Sequence, residues 1–258
     1  KPWFAAFGAL GYWMIGLFGT RYPRLLSRGD IENEEPAINT DTVAGGIEYR
    51  DGILVDNDAR FVFSFVRSAI EAGATAANYV EMVSAKRVDG KWVATLRCTD
   101  TEEEFTTTAT TIVNAAGPFV DETNQQWGLD TEHRIVYSKG IHLVVPRITT
   151  NRHHKVLAFY DDTERLFYVI PMGRRSVIGT TDTRVDTPFT EVDQDDIDFL
   201  LSQINARLDL ATPLTKDDII AERCGVRPLV ISAGKGDQKD VDWTKLSRKH
   251  AVEVDTEQ

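Results

Sequence analysis

The chain lacks the features of a small disulfide-rich, zinc-binding or nucleic-acid-binding protein. It has only 2 cysteines, Cys98 and Cys224, and they form no C-x-x-C pair, so we expect no disulfide framework and no metal site. The 29 basic residues are outnumbered by 40 acidic ones, and the net charge of −11 argues against nucleic acid as a partner. An anionic ligand must therefore meet a local basic cluster.

A dinucleotide-binding motif is also missing. Gly234 and Gly236 come nearest to G-x-G-x-x-G, but no third glycine follows and no strand precedes them. The glycine-rich turn and helix start that hold a pyrophosphate are therefore not encoded here. The chain starts at Lys1 rather than at methionine, which we interpret as a fragment or a trimmed chain.

Long hydrophobic runs are scarce, and the most apolar segment is residues 2–20, which carries no charge. Its length is at the lower limit for a membrane-spanning helix, about 17 to 25 residues. Glycines and aromatic residues dilute its hydrophobicity, and strong aliphatic side chains are few. We interpret the segment as a buried or membrane-apposed helix rather than a spanning one.

The first half then shows a helix followed by a meander of strands. Asp56, Asn57 and Asp58 offer helix caps, apolar residues recur at helical spacing from Phe61, and Gly73 provides a stop. Asp89-Gly90 is a strong hairpin turn. The pattern predicts strands at residues 75–80, 82–88, 91–97 and 104–108.

Residues 110–118 predict a buried strand that ends in Ala115, Ala116 and Gly117. Small residues at such a strand end let the backbone approach a cofactor closely. An ordinary exit from a strand before Pro118 explains the same residues equally well. Both interpretations stay open at this point.

The second half predicts a largely antiparallel sheet and one long helix. The helix covers residues 190–210, with Thr190 as its cap and with Asp193, Asp195 and Asp196 as a solvated first turn rather than a metal site. A further strand at 218–230 carries Arg227. The sheet strands are predicted at residues 135–146, 155–160, 166–171 and 176–180.

Residues 138–146 set Lys139 and His142 beside the bare Gly140, between apolar strand-like runs, and we interpret them as the floor of a ligand site together with residues 169–172 and 179–182. His142 alone fits either a core histidine or a catalytic one. Arg227 lies in an apolar strand, where a guanidinium requires an anion or several acceptors. Its alternative is an internal ion pair with a residue such as Glu222.

In their order along the chain, these segments resemble the FAD-dependent glycerol-3-phosphate dehydrogenases, flavoenzymes of the D-amino-acid-oxidase-like superfamily. The resemblance rests on GGIEYRDGILVDNDARF (45–61), IVNAAGPFVD (112–121), SKGIHLVVPR (138–147), FYVIPM (167–172) with SVIGTTDT (176–183), DDIIAERCGVRPLV (217–230) and LSRKH (246–250). In that family the G-x-G-x-x-G motif precedes these segments, and a glycine-rich, lysine-bearing segment follows them. The resemblance therefore implies an internal fragment that holds little FAD and is inactive alone.

The resemblance also implies a fold, of mixed α+β and α/β class. The chain would combine the later part of a glutathione-reductase-type FAD-binding domain with a mainly antiparallel-sheet substrate-binding domain. We expect an apolar helix and linker over residues 1–44, the partial FAD-binding domain over 45–134, and the substrate-binding domain over 135–258.

Carried over residue by residue, the resemblance implies that Arg227 meets the substrate beside the flavin and that His142 lies near the reacting carbon. Our hypothesis is that His142 is the catalytic base and that Arg227 stabilises the charge of the reacting oxygen. Arg248 would bind the substrate phosphate. For FAD, the family implies contacts at three positions: Val80, Ala116 and Gly117.

The implied reaction is the oxidation of sn-glycerol 3-phosphate to dihydroxyacetone phosphate, with hydride transfer to FAD and electrons passed on to quinone. The implied location is cytoplasmic, peripheral on the inner membrane, and a homodimer is compatible with it. One alternative is a related FAD-dependent oxidase or dehydrogenase of an amino or hydroxy acid, because Arg227 alone would suit a carboxylate. The other is a non-enzymatic, membrane-associated binding module built on residues 2–20.

Overall fold

The computed structural model describes residues 2–19, 21–54, 57–148, 155–160, 166–232 and 251–255. The chain divides into two compact units, and each is made of two stretches of sequence. The sheet unit contains Lys1–Gly52 and Ser138–Arg227, and the meander unit contains Ile53–Tyr137 and Pro228–Gln258. The apolar N-terminal segment therefore belongs to the same unit as residues 138–227. The domain boundaries expected from the sequence stay a prediction.

The sheet unit is built around a six-stranded sheet with the strand order β10-β6-β9-β8-β7, in which β11 also pairs with β6. The pairs β6–β9, β9–β8 and β8–β7 are antiparallel. The predicted sheet is thus confirmed. Its strands are β6 (His133–Pro146), β7 (Leu157–Tyr160), β8 (Leu166–Met172), β9 (Arg175–Gly179), β10 (Thr183–Val185) and β11 (Ala221–Ser232).

One face of this sheet forms the core against helix α5 (Gln194–Arg207). Because side chains alternate along a strand, Ile141, Leu143 and Val145 of β6 point to the same face, and all three are fully buried. The core is completed by residues from the neighbouring strands and from α5, namely Leu157, Phe167, Val169, Ile178, Leu200, Leu201, Ile204 and Leu208. The other face of the sheet is therefore left for His142.

The start of α5 corrects two expectations. The cap is Asp193 rather than Thr190, and Asp193 and Asp196 form a reciprocal capping box. Both carboxylates also lie 2.6 Å from Lys139 Nζ. The side chains of Lys139 and Asp196 are 4% and 5% exposed, so Asp196 is a buried ion-pair partner rather than a solvated acid. Lys139 points to the α5 side and is not part of a ligand floor.

The N-terminal part of the sheet unit is held by an ion-pair network. It contains α1 (Pro2–Ile15), β1 (Arg24–Leu26), α2 (Arg28–Glu34) and β2 (Gly46–Glu48), and β1 and β2 pair with each other. Glu34 and Glu48 each contact both Arg24 and Lys155, at 2.6 to 3.2 Å. Hydrogen bonds from Arg24 and then Lys155 lower the pKa of Glu34 to about 2.

Helix α1 is shorter than the apolar segment that encodes it. It ends at Ile15, and Leu17 and Phe18 after it have positive φ angles. Within the described ranges, no helix has both the length and the apolar character needed to cross a membrane. Several side chains on and after α1 are nevertheless exposed, including Phe7, Met14, Ile15 and Leu17.

The meander unit consists of α3 (Asn57–Glu71), an antiparallel sheet ordered β3-β4-β5, and α4 (Val120–Gln126). The predicted helix with its stop at Gly73 is confirmed, since Gly73 has φ +95°. The predicted hairpin turn is also confirmed, with positive φ at both Asp89 and Gly90. The strands are β3 (Val80–Val88), β4 (Lys91–Cys98) and β5 (Glu104–Ala109).

Two strand predictions in this unit are wrong. Residues 75–79 form no strand, because the chain is still leaving α3 and first pairs at Val80. Residues 110–116 are also not a strand, and Val113 is 79% exposed. A strand requires a neighbour for its backbone hydrogen bonds, and the described residues place none beside this segment.

The mixed α/β fold with mainly antiparallel sheets is therefore confirmed.

The buried ion pair between Lys139 and Asp196 contributes to the stability of this fold. Asp196→Asn should lower the free energy of unfolding by about 3 kcal/mol, because it leaves the buried Lys139 with a weakened partner. Asp195→Asn is the matched control, since Asp195 is exposed in the same helical turn; it should change stability by less than about 0.5 kcal/mol. Urea unfolding followed by circular dichroism measures both, and equal stabilities would contradict the structural role of the pair.

Candidate functional site

The face of the six-stranded sheet opposite α5 brings together His142, Gly179 and Tyr168. In the antiparallel register, His142 of β6 pairs with Gly179 of β9, and Gly179 pairs with Tyr168 of β8. Residues directly opposite each other in neighbouring strands point to the same face. His142 and Tyr168 therefore flank a glycine on the face that α5 does not cover.

The imidazole of His142 lies over Gly179. A Cβ atom added at Gly179 would be 2.6 Å from His142 Cδ2 and 2.7 Å from the Ile141 carbonyl oxygen. Gly179 also has φ +154°, a conformation that residues with a side chain rarely adopt. Only glycine therefore allows the ring to rest against the sheet at this position.

The guanidinium of Arg227 lies in the same way over Gly140, two residues before His142 on β6. A Cβ atom at Gly140 would be 2.5 Å from Arg227 Nη1 and 2.6 Å from Nη2. Arg227 Nη2 donates to Thr180 Oγ1 at 3.1 Å, and Nη1 lies 3.5 Å from the Thr181 carbonyl oxygen. The His142 imidazole and the Arg227 guanidinium thus lie next to each other, each packed against the backbone of a glycine.

Arg227 has no carboxylate within ion-pair distance in the part of the chain that the structure describes. Its hydrogen bonds go to a hydroxyl and a carbonyl oxygen, neither of which neutralises its charge. The ion pair with Glu222 that the sequence allowed is therefore not formed. A half-buried cation held by neutral acceptors is well suited to bind an anionic or developing negative oxygen.

Hydrogen bonds connect the segment Gly179–Asp182 both to β6 and to Arg227. Ser138 Oγ donates to Asp182 Oδ1, and the Ile141 backbone N–H donates to Thr181 Oγ1 at 3.1 Å. Thr180 in turn supplies the acceptor for Arg227. The sequence identified this motif as part of the site, but its role is to hold the strand and the guanidinium.

The electrostatic environment favours a neutral imidazole at His142. Partial burial lowers the pKa of His142, and the positive charges of Arg227 and Arg223 lower it further. Because a neutral imidazole has a free lone pair on one ring nitrogen, it can accept a proton. The geometry and the charge distribution therefore favour the catalytic interpretation of His142 over that of a core histidine.

Two residues of this face were not identified from the sequence, Tyr168 and Arg223. Strand alternation was the signal that could have found Tyr168, because Phe167 and Val169 on either side of it are buried in the core. To identify Arg223, one has to know how β11 pairs within the sheet, and the sequence alone does not give this pairing. Both place polar groups around His142.

The residues expected to contact a flavin cofactor, Val80, Ala116 and Gly117, all belong to the meander unit. Val80 pairs with Cys98 at the edge of the sheet, while the neighbouring Tyr79 carbonyl accepts the Thr99 N–H. In an antiparallel ladder the backbone groups of successive residues point to opposite sides. The N–H and C=O of Val80 therefore face the open edge of β3 in this sheet.

Ala116 is exposed and Gly117, which begins a short 3-10 helix (Gly117–Phe119), is half-buried; Asn114 holds this segment in place. Asn114 Oδ1 accepts the Ala116 N–H at 3.1 Å, and Nδ2 donates to the Val120 carbonyl and to Asn124. Gly117 has φ +58°, and no atom lies within 4 Å of the position of a Cβ. Accessible backbone at both places fits close contact with a large planar cofactor.

Arg248, expected to bind the substrate phosphate, lies outside the described residues. Its role stays a prediction.

Comparison with known proteins identifies the family of this chain. The chain belongs to the FAD-dependent oxidoreductases, because the family model described as "FAD dependent oxidoreductase" matches residues 6–240. FAD is the cofactor of this family. The predicted membership of a flavoenzyme superfamily is therefore confirmed.

Within this class, the chain is similar to glycerol-3-phosphate dehydrogenases. It is 32% identical over 238 residues to the mitochondrial enzyme of Macaca fascicularis, which covers 89% of this chain and 32% of that protein. It is 33% identical over 234 residues to the enzyme of Mycobacterium leprae, covering 89% of this chain and 38% of that protein. The chain thus spans roughly a third of the length of these relatives.

The solved structures show the same similarity. Glycerol-3-phosphate dehydrogenase from Bacillus halodurans, solved in complex with FAD, has a TM-score of 0.71 and 29% identity, covering 80% of this chain and 42% of that chain. Glycine oxidase from Geobacillus kaustophilus has a TM-score of 0.59 at 20% identity, covering 85% of this chain and 54% of that chain. The second likeness concerns the fold alone.

The close contact at Gly140 leads to a test. Gly140→Ala should displace the Arg227 guanidinium and lower kcat/KM of the intact, FAD-loaded protein by at least about tenfold, the order expected when one charge-assisted hydrogen bond is lost. Gly29→Ala is the control, because the nearest atom to an added Cβ there is 3.9 Å away. Steady-state kinetics measures both. An active Gly140→Ala enzyme with unchanged kcat/KM would show that the function of Arg227 does not require a glycine at position 140.

Proposed function

We propose that this chain supplies the substrate-binding side of a FAD-dependent glycerol-3-phosphate dehydrogenase, which oxidises sn-glycerol 3-phosphate to dihydroxyacetone phosphate. The observation that carries the proposal is the placement of Arg227, without a described carboxylate partner, beside the imidazole of His142 on the face of the sheet opposite α5. The similarity to glycerol-3-phosphate dehydrogenases supports the choice of substrate.

His142 and Arg227 have complementary roles in this proposal. Oxidation of a secondary alcohol removes a proton from oxygen and a hydride from carbon. His142 accepts the proton from the C2 hydroxyl, and Arg227 stabilises the negative charge that develops on that oxygen. FAD, when bound, accepts the hydride. Val80, Ala116 and Gly117 are the residues that would contact it, and Arg248 would bind the phosphate.

The electron acceptor and the cellular location are further parts of the proposal. We propose quinone as the acceptor, and a cytoplasmic position peripheral to the inner membrane. Exposed apolar side chains on and after α1, such as Phe7, Ile15 and Leu17, are compatible with contact to a membrane surface.

His142→Asn tests the base assignment. In the intact, FAD-loaded protein we expect turnover to fall by about 100-fold or more, since a general base typically contributes 10²- to 10⁴-fold. The lowered pKa of His142 keeps the imidazole neutral in more acidic solution than usual. The acid limb of the kcat/KM profile should therefore lie below the ordinary histidine value of about 6.5 and should be absent from the variant.

Tyr160→Phe is the control for this measurement, because Tyr160 is exposed at the edge of the same sheet. It should leave both turnover and the pH profile unchanged. A loss of less than about tenfold in His142→Asn would remove His142 from the role of general base.

A second candidate is the oxidation of an amino or hydroxy acid, which one observation favours. Arg227 is a single guanidinium with a planar array of donors, and this geometry also suits bidentate binding of a carboxylate. The two candidates differ in which compound reduces the flavin. In the intact, FAD-loaded protein without oxygen, glycerol 3-phosphate should itself bleach the flavin at a lower concentration than the hydroxy acid lactate does. The reverse order of affinities, measured by flavin absorbance, would favour the second candidate.

A further inference from the structure

Arg223 lies on the same face of the sheet as His142 and Arg227. Its Nη2 contacts the Sδ atom of Met172, and Met172 shares a face with Tyr168 because the two are four residues apart on β8. Arg223 and Arg227 are also four residues apart, on β11, so strand alternation places both side chains on one face of the sheet.

The side chain of Arg223 extends over that face toward β8. Its Nη2 lies 3.6 Å from the Sδ atom of Met172, and β6 and β9 lie between β11 and β8 in the sheet. Met172 is on the same face as Tyr168, four residues earlier on β8. A thioether is a weak acceptor, so this contact orients the guanidinium without neutralising its charge.

No carboxylate lies within ion-pair distance of Arg223 among the residues that the structure describes. Several described arginines of the chain do have such a partner, for example Arg24, Arg67 and Arg97. The positive charge of Arg223 nevertheless reaches the site, since it contributes to lowering the pKa of His142. In a chain with a net charge of −11, two arginines converging on one histidine are a local exception.

We propose that Arg223 is a specificity-determining residue that binds the phosphate of the substrate. This inference rests on the proposed function and deepens it. Arg227, held down over Gly140, serves the reacting oxygen, whereas Arg223 is exposed and reaches the rim of the same face. A phosphomonoester carries close to two negative charges and three acceptor oxygens, so it gains from a guanidinium in addition to the one at the reacting oxygen.

The test compares Arg223→Gln with Arg174→Gln in the intact, FAD-loaded protein. Arg174 is exposed in the turn between β8 and β9, so its substitution removes the same charge from the same sheet. Isothermal titration calorimetry of the protein with its FAD reduced beforehand, so that sn-glycerol 3-phosphate binds without being oxidised, should show Kd raised by at least about tenfold in Arg223→Gln, the order of a hydrogen bond to a charged group. Arg174→Gln should leave Kd unchanged, and Arg223→Lys should restore part of the affinity.

Steady-state kinetics provides the second readout. In Arg223→Gln the KM for glycerol 3-phosphate should rise as Kd does, while kcat stays within about twofold, because the lost contact is made equally in the ground and transition states. The inhibition constant of inorganic phosphate should rise in parallel if free phosphate occupies the same site.

The outcomes separate this inference from the proposed function. A wild-type protein that neither binds nor oxidises glycerol 3-phosphate refutes both. A wild-type protein that does so, with Kd and KM equal in Arg223→Gln and Arg174→Gln, refutes only the role of Arg223. A weaker inhibition by inorganic phosphate with no change in KM would identify an adventitious ion only, and it would refute the inference as well.

Discussion

The site depends on the absence of a side chain at Gly140 and Gly179. Each glycine is covered by a functional group, the guanidinium of Arg227 in one case and the imidazole of His142 in the other. Both groups therefore lie close to the backbone of the sheet. Partial burial and the positive charge of Arg227 lower the pKa of His142, which favours the neutral imidazole.

A buried ion pair on the other side of β6 fixes which residues face that space. Lys139 is anchored to Asp193 and Asp196 at the start of α5, and a shift of the strand by one residue would exchange its two faces. Such a shift would bury His142 and would expose Ile141 and Leu143. The cost of leaving Lys139 without its partners opposes it, so the helix cap also helps to fix the register of the site.

The sequence predicted the strands of the sheet, the helix α3 and the hairpin at Asp89-Gly90 because local patterns determine them. It predicted His142 and Arg227 as one site because the motifs that carry them match a known family. It misjudged Lys139, which was interpreted as part of a ligand floor, and Asp196, which was interpreted as a solvated acid, because only tertiary packing pairs the two. Residues 110–116 failed for the opposite reason: their apolar character indicates burial, but a strand also requires a neighbour.

Gly140 beneath Arg227 and Gly179 beneath His142 restrict how such a site can change during evolution. Every other amino acid carries a Cβ, so substitution of either glycine displaces the group above it rather than altering specificity gradually. Substitution of Tyr168 or Arg223, which lie around His142, is not restricted in this way. A sheet of this kind can therefore acquire new substrates while its base and its cation remain in place, and divergence would be concentrated in the side chains that surround them.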